Sequence, residues 1–246
     1  MPKTTENRQG RGRSRDSAAT RVRERVLAEG ERYWSHSDFG GLSADAVAHA
    51  LSRLTAEGVL RRVRKGLYYR PKATVLGPSV PSASAAAAYT LRVPLHASGL
   101  MAANRLGFTT QNPARGEFAT PAAGAPGGLG DAVVHTRRPS SRLGLNREDG
   151  ALLELLRDRA RFSDLSPRRT VERLVGGISD PERFRRLADA AQSEPPRVRA
   201  MLGALGEQAG MSADSLEALR ASLNPLSRFD FGVLGVLPTA GGWQAQ

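Results

Sequence analysis

The stretch from Tyr33 to Pro71 restricts this chain more than any other: a short apolar helix stops at a glycine and runs into an arginine-dense hairpin, RRVRKGLYYRP. Arg61, Arg62, Arg64, Lys65 and Arg70 crowd a Lys-Gly turn, where Gly66 can take the positive φ that a tight hairpin demands. The tip is a positive finger. Upstream, Ser43 is placed to cap a helix running to about Glu57, with Gly58 as its left-handed stop and Val47, Ala50, Leu51 and Leu54 as the inward stripe. Asp45, His49, Ser52 and Ala56 face outward, with Arg53 at the edge. Such a slim polar face can enter a DNA major groove, where Ser, His and Arg read base edges or hold phosphates. Asp45 fits there only by accepting a bond from a cytosine amino group.

An arginine-rich hairpin taken alone can also be a solvated edge that resists aggregation. The order of parts favours a nucleic-acid contact instead. Helix, glycine stop, strand, basic turn and a strand with paired tyrosines, preceded by Val22, Val26 and Leu27 of an earlier helix, describe a winged helix-turn-helix. The expected DNA-binding residues are Ser43, His49, Ser52, Arg53, Arg61, Arg62, Arg64, Lys65 and Arg70.

The 246 residues, 40% of them hydrophobic, suffice for one large domain or two modest ones with a packed core. A formal net charge of +12 attracts a polyanion, of which nucleic acid is the obvious one. The lysines are only Lys3, Lys65 and Lys72, so the charge is nearly all arginine and its placement says more than its sum. The lack of cysteine excludes disulfides and thiolate metal sites and suits a reducing cytoplasm. No apolar run has the length of a membrane span and the N-terminus lacks a hydrophobic signal core, so a cytoplasmic location without a membrane partner is expected.

Residues 1–18 lack apolar anchors and form an expected flexible basic tail, which either lies along DNA or simply frays. The winged helix-turn-helix is expected over 19–72 and a Pro, Gly and Ser linker over 73–84. A second domain, 85–246, follows, making the fold class α+β with a small sheet and a helical C-terminal part. Helices are expected at Ser84 to Arg92 and Leu100 to Leu106, and strands at Phe108 to Thr110, Glu117 to Thr120 and Ala132 to Thr136. Further on, Ser166-Pro167, Asp180-Pro181 and Ser212 mark helix starts. The apolar end with Phe229, Phe231, Val233, Leu234 and Trp243 should dock on the body or a partner.

His36, His49, His96 and His135 show no i, i+4 pair and have no cysteines beside them, so no metal site is expected. No P-loop, dinucleotide fingerprint or Gly-x-Ser-x-Gly elbow is present, hence no expected cofactor or catalytic residue. A nuclease would want clustered carboxylates with a lysine; Glu117 and Asp131 have none near them in sequence. The chain is expected not to be an enzyme.

The order SHSDFGGLSADAVAHALSRLTAEGVLRRVRKGLYYRPK, then LGPS, then HASGLMAANRLGFTTQNPARGEFATP, resembles the AbiEi-type antitoxins of bacterial type IV toxin-antitoxin and abortive-infection systems. The likeness spans roughly residues 20 to 140, with Ser98, Gly99, Ala102, Ala103, Asn104 and Gly107 among its more specific positions. It implies a two-domain antitoxin whose winged helix binds repeats in its own promoter and represses the operon. Its C-terminal domain would counter a nucleotidyltransferase toxin without a stable complex. The family's basic wing maps onto Arg61, Arg62, Arg64, Lys65 and Arg70, and the resemblance transfers no catalytic residue. Asn104, Thr109, Thr110 and Gln111 form either a polar recognition surface or the caps and turns of the chain, with structure favoured. The alternative to the antitoxin is a winged-helix transcriptional regulator without a toxin partner.

Overall fold

The structure is a computed structural model describing residues 17–246, and it divides into two compact units between Ser82 and Ala83. It is mixed α+β. Most of the tail expected over 1–18 lies outside the described residues, but its last two residues are the cap and the first residue of a helix. The Ser17 hydroxyl accepts the Thr20 N–H at 3.2 Å and opens α1 (Ala18–Ala28).

In the first unit α1 is followed by β1 (Arg32–Trp34), a single 3-10 turn over His36–Asp38, α2 (Ala44–Ala56), β2 (Arg61–Arg64) and β3 (Leu67–Arg70). Ser43 caps α2 by accepting the Ala46 N–H at 3.2 Å. At Gly58, with φ +76°, the chain reverses, so that Val59 and Leu60 both donate to the Leu54 carbonyl. Val47, Ala50, Leu51 and Leu54 pack on Val22, Val26, Trp34, Phe39, Leu60 and Tyr68. Leu27, expected in that core, is 44% exposed. Val22 and Val26 hold the inward stripe of α1, and the next residue falls about 100° round the helix.

The sheet has the order β1-β3-β2 and is antiparallel throughout. Lys65 and Gly66 form the turn between β2 and β3, Gly66 at φ +74°, and the register slips between Arg62 and Arg64. Such a slip bends a hairpin and increases its twist. The segment expected to be a featureless linker folds back as a small hairpin, β4 (Ala73–Thr74) and β5 (Gly77–Pro78). The Ser79 hydroxyl holds it down: it accepts the Lys72 N–H at 2.8 Å and lies 2.9 Å from the Tyr69 hydroxyl.

The second unit begins with α3 (Ala83–Leu91), β6 (His96–Ala97), α4 (Gly99–Arg105), β7 (Glu117–Ala119) and β8 (Val133–His135). Its sheet order is β6-β7-β8, with β6 antiparallel and β8 parallel to β7. The strand expected at Phe108 to Thr110 is not formed. Phe108 is buried and its carbonyl accepts the Asp164 N–H at 2.9 Å, so this backbone is used by a loop rather than a ladder. His96–Ala97 supplies the third strand instead.

Five helices complete the unit: α5 (Arg147–Arg157), α6 (Pro167–Gly177), α7 (Pro181–Ala191), α8 (Pro196–Gln208) and α9 (Ala213–Ala221). Ser166, Asp180 and Ser212 cap α6, α7 and α9 through their side chains, and proline opens α6 and α7. Helix α8 is buried almost all round, which requires glycine where neighbours press closest. A Cβ on Gly203 would overlap the Trp243 ring, so the apolar C-terminal end docks on this unit's own α8. No helix among the described residues is long and apolar enough to cross a membrane.

Candidate nucleic-acid interface

The inward stripe of α2 leaves Asp45, Ala48, His49, Ser52, Arg53 and Ala56 exposed on the opposite face. Ser43 stands at the head of this face, but its hydroxyl is occupied as the helix cap. On the hairpin Arg61, Arg62, Arg64 and Lys65 are all exposed. Arg53, Arg61, Arg62 and Lys65 have no ion-pair partner among the described residues. From Gly58 to Ser82 the sequence carries Arg61, Arg62, Arg64, Lys65, Arg70 and Lys72 and neither aspartate nor glutamate. The hairpin is thus positive because nothing acidic lies along it, which sequence spacing alone can show.

Arg70 stands apart from that group. It lies at the other end of β3, where its guanidinium donates to the Val26 and Leu27 carbonyls. Those are last-turn carbonyls of α1 with no helical partner of their own, so Arg70 acts as a helix cap and is half-buried. The paired tyrosines are also structural. Tyr68 and Tyr69 are buried, and the Tyr69 hydroxyl donates to Glu31. Burial, and then this bond, raise the Tyr69 pKa, while the same bond and Ser79 lower that of Glu31.

Most cations near α1 and β1 are paired, whereas Arg61, Arg62 and Lys65 of the hairpin have no ion-pair partner among the described residues. Arg23 pairs with Glu57, Arg25 with Glu29 at 2.6 Å, and Arg32 with Glu29 and Asp38. The Arg25 hydrogen bond holds the Glu29 carboxyl below its ordinary pKa, and Arg32 adds to the effect. Arg32 also lies over the Trp34 ring, 4.2 Å from its centroid. Arg53 on α2 and Arg61, Arg62 and Lys65 on the β2–β3 hairpin thus gather unpaired positive charge on neighbouring elements, an arrangement suited to gripping a polyanion.

One group of arginines in the second unit is spent internally. Glu154 accepts from Arg138 at 2.8 and 2.9 Å, from Arg142 and from the Ser98 hydroxyl at 2.9 Å. Glu194 accepts from Arg142 at 2.6 Å and from Arg157 at 2.7 Å. Burial opposes ionisation of Glu154, but Arg138 and Arg142 outweigh it and hold its carboxyl at about 2. This cluster has no signal in the sequence, since Ser98 and Glu154 lie 56 residues apart. His135 meets Glu117 at 2.7 Å, and no cluster of three or more potential metal ligands occurs among the described residues. The Asn104 region is used for folding: the Asn104 amide donates to the Gln111 carbonyl at 2.9 Å, and Thr109 and Gln111 bond Asp164.

A model described as a family of unknown function, DUF6088, matches residues 34–129. No curated protein matches the chain. Among solved structures, the crystal structure of the RV2827C protein from Mycobacterium tuberculosis is similar at 18% identity with a TM-score of 0.40, covering 87% of this chain and 86% of that one.

Proposed function

We propose that the chain is a DNA-binding autorepressor and antitoxin of the AbiEi type. In this reading the first unit is a winged helix-turn-helix: α2 enters the major groove and the β2–β3 hairpin is the wing that holds the phosphate backbone. The observation that carries it is the charge division within that unit, in which Arg53, Arg61, Arg62 and Lys65 are exposed without ion-pair partners among the described residues while Arg23, Arg25 and Arg32 around α1 and β1 are paired. Phosphate contacts supply most of the affinity, and His49, Ser52 and Arg53 supply sequence preference. Arg70 is left out of the contact set because its guanidinium caps α1. The second unit counters a nucleotidyltransferase toxin encoded alongside, without a lasting complex.

The test is binding to fragments of the chain's own promoter over a range of salt concentrations. Replacing Arg61, Arg62 and Arg64 by alanine should weaken binding to all sequences alike and reduce the salt slope by about one for each phosphate that is no longer neutralised. Unchanged binding by the triple variant rules out the wing. Co-expression of the full chain with the neighbouring gene, scored by growth, tests the antitoxin half, and failure to rescue leaves only a transcriptional regulator.

A further inference from the structure

Asp45 is the anomaly on the proposed DNA-facing helix. Of the other acids in this unit, Glu29, Asp38 and Glu57 are ion-paired, Glu31 accepts from Tyr69, and Glu24 lies exposed on α1, away from the α2 face. Asp45 is exposed, and its carboxylate has neither an ion pair nor a hydrogen bond among the described residues. It occupies the second position of α2, one turn before His49, beside the small side chains of Ala44 and Ala48. With such small neighbours its carboxylate stands clear of the helix surface.

A lone carboxylate beside phosphates costs affinity at every site, since it repels the anionic backbone and meets only acceptors on guanine and on the thymine carbonyl edge. Its cost is recovered only where a base edge donates a hydrogen. Adenine's N6–H₂ sits beside its N7 acceptor, which repels a carboxylate, whereas cytosine presents N4–H₂ in the major groove without that acceptor, and an aspartate is suited to accept from it. Residues near the N-terminus of a recognition helix are the ones that reach base edges. We infer that Asp45 is a specificity-determining residue that selects a cytosine at one operator position, penalising other bases through the same charge. The inference rests on the reading of α2 as the groove-entering helix.

Aspartate in a first helical turn also interacts favourably with the helix dipole, and this is the competing explanation for its presence. Selection from a randomised operator, carried out with the full-length wild type, Asp45→Ala and Asp45→Asn, separates the two. The wild type should show one position with a cytosine preference of about tenfold, the size of a single good base contact. Asp45→Ala should lose that preference while binding unrelated DNA more tightly. Asp45→Asn should move the preference toward adenine, whose N6 and N7 match a carboxamide. Thermal unfolding of both variants confirms that they remain folded. Base preferences that stay the same in both variants, with only a uniform change in affinity, overturn the assignment and leave the dipole as the reason for Asp45. A wild type that binds none of the operator pool overturns the DNA-binding reading itself, and this inference with it.

Discussion

Arg61 and Arg62 stand exposed on a hairpin with no ion-pair partner among the described residues, whereas Arg142 in the second unit is fully buried and bonded to both Glu154 and Glu194. One residue type serves opposite ends in the two regions. On the hairpin the guanidinium keeps its hydration and its field, so it remains available to an external anion. Around Arg142 desolvation must be offset by carboxylates, and the charge is hidden from outside. A net positive sequence therefore says little about binding until it is known which arginines are already occupied.

The largest effect that would sharpen this contrast is expected at Glu154. Glu154→Ala leaves Arg138 without a carboxylate and fully buried Arg142 with Glu194 alone, and should cost about 3–5 kcal/mol of stability, measured by chemical denaturation. Replacing Arg61, Arg62 and Arg64 by alanine should leave the same denaturation curve nearly unchanged, because exposed side chains away from caps and cores contribute little. A comparable loss in both variants would erase the difference between the two regions.

Acid should act next, and chiefly on the second unit. Glu154 titrates at about 2 when folded against an ordinary 4.5, so its contribution is complete above 4.5 and is lost as pH falls from there toward 2. The pKa of buried His96 is lowered from 6.5 by burial first and by Arg142 second. Its folded form favours the neutral ring, so that stability is full above 6.5 and declines as pH falls below it. Trp243 fluorescence in a Trp34→Phe background reports the second unit alone, since Trp34 and Trp243 lie in different units. Stability of that unit that stays level from about pH 7 to about pH 3 would contradict both assignments.

The smallest effect is expected at Arg168, which pairs with Glu172 on the exposed face of α6 at 3.0 Å. Arg168→Ala should change stability by less than about 0.5 kcal/mol, because exposed i, i+4 pairs are weak. A loss near that of Glu154→Ala would mean that position, exposed or buried, does not decide what an arginine contributes here.

Much of the first unit is legible before folding because its signals are local. Ser43 as cap, Gly58 as stop, the stripe Val47, Ala50, Leu51 and Leu54, and the Lys65-Gly66 turn each involve residues within one helix or one hairpin. The short strands β1 and β6 are not legible in that way, although β7 and β8 are. β1 and β6 exist only through their partners, β3 and β7, and neither has enough residues to display alternation. The hairpin within 73–84 escapes for the same reason, since the bonds of Ser79 to Lys72 and Tyr69 hold it and not any pattern of its own. Of the proposed contact residues, Arg70 is the one whose place the sequence misstates. Its spacing puts it beside the other hairpin arginines, yet it closes the end of α1.

Taken alone, the amino-acid order determined where α2, α6, α7 and α9 begin, the positive φ at Gly58 and Gly66, and that the run from Gly58 to Ser82 carries one sign of charge. Those properties depend on neighbours within a few bonds. Tertiary structure decided which arginines are spent and which remain available, because a guanidinium meets its carboxylate through packing of segments far apart in the chain, as Arg142 meets Glu194 across 52 residues.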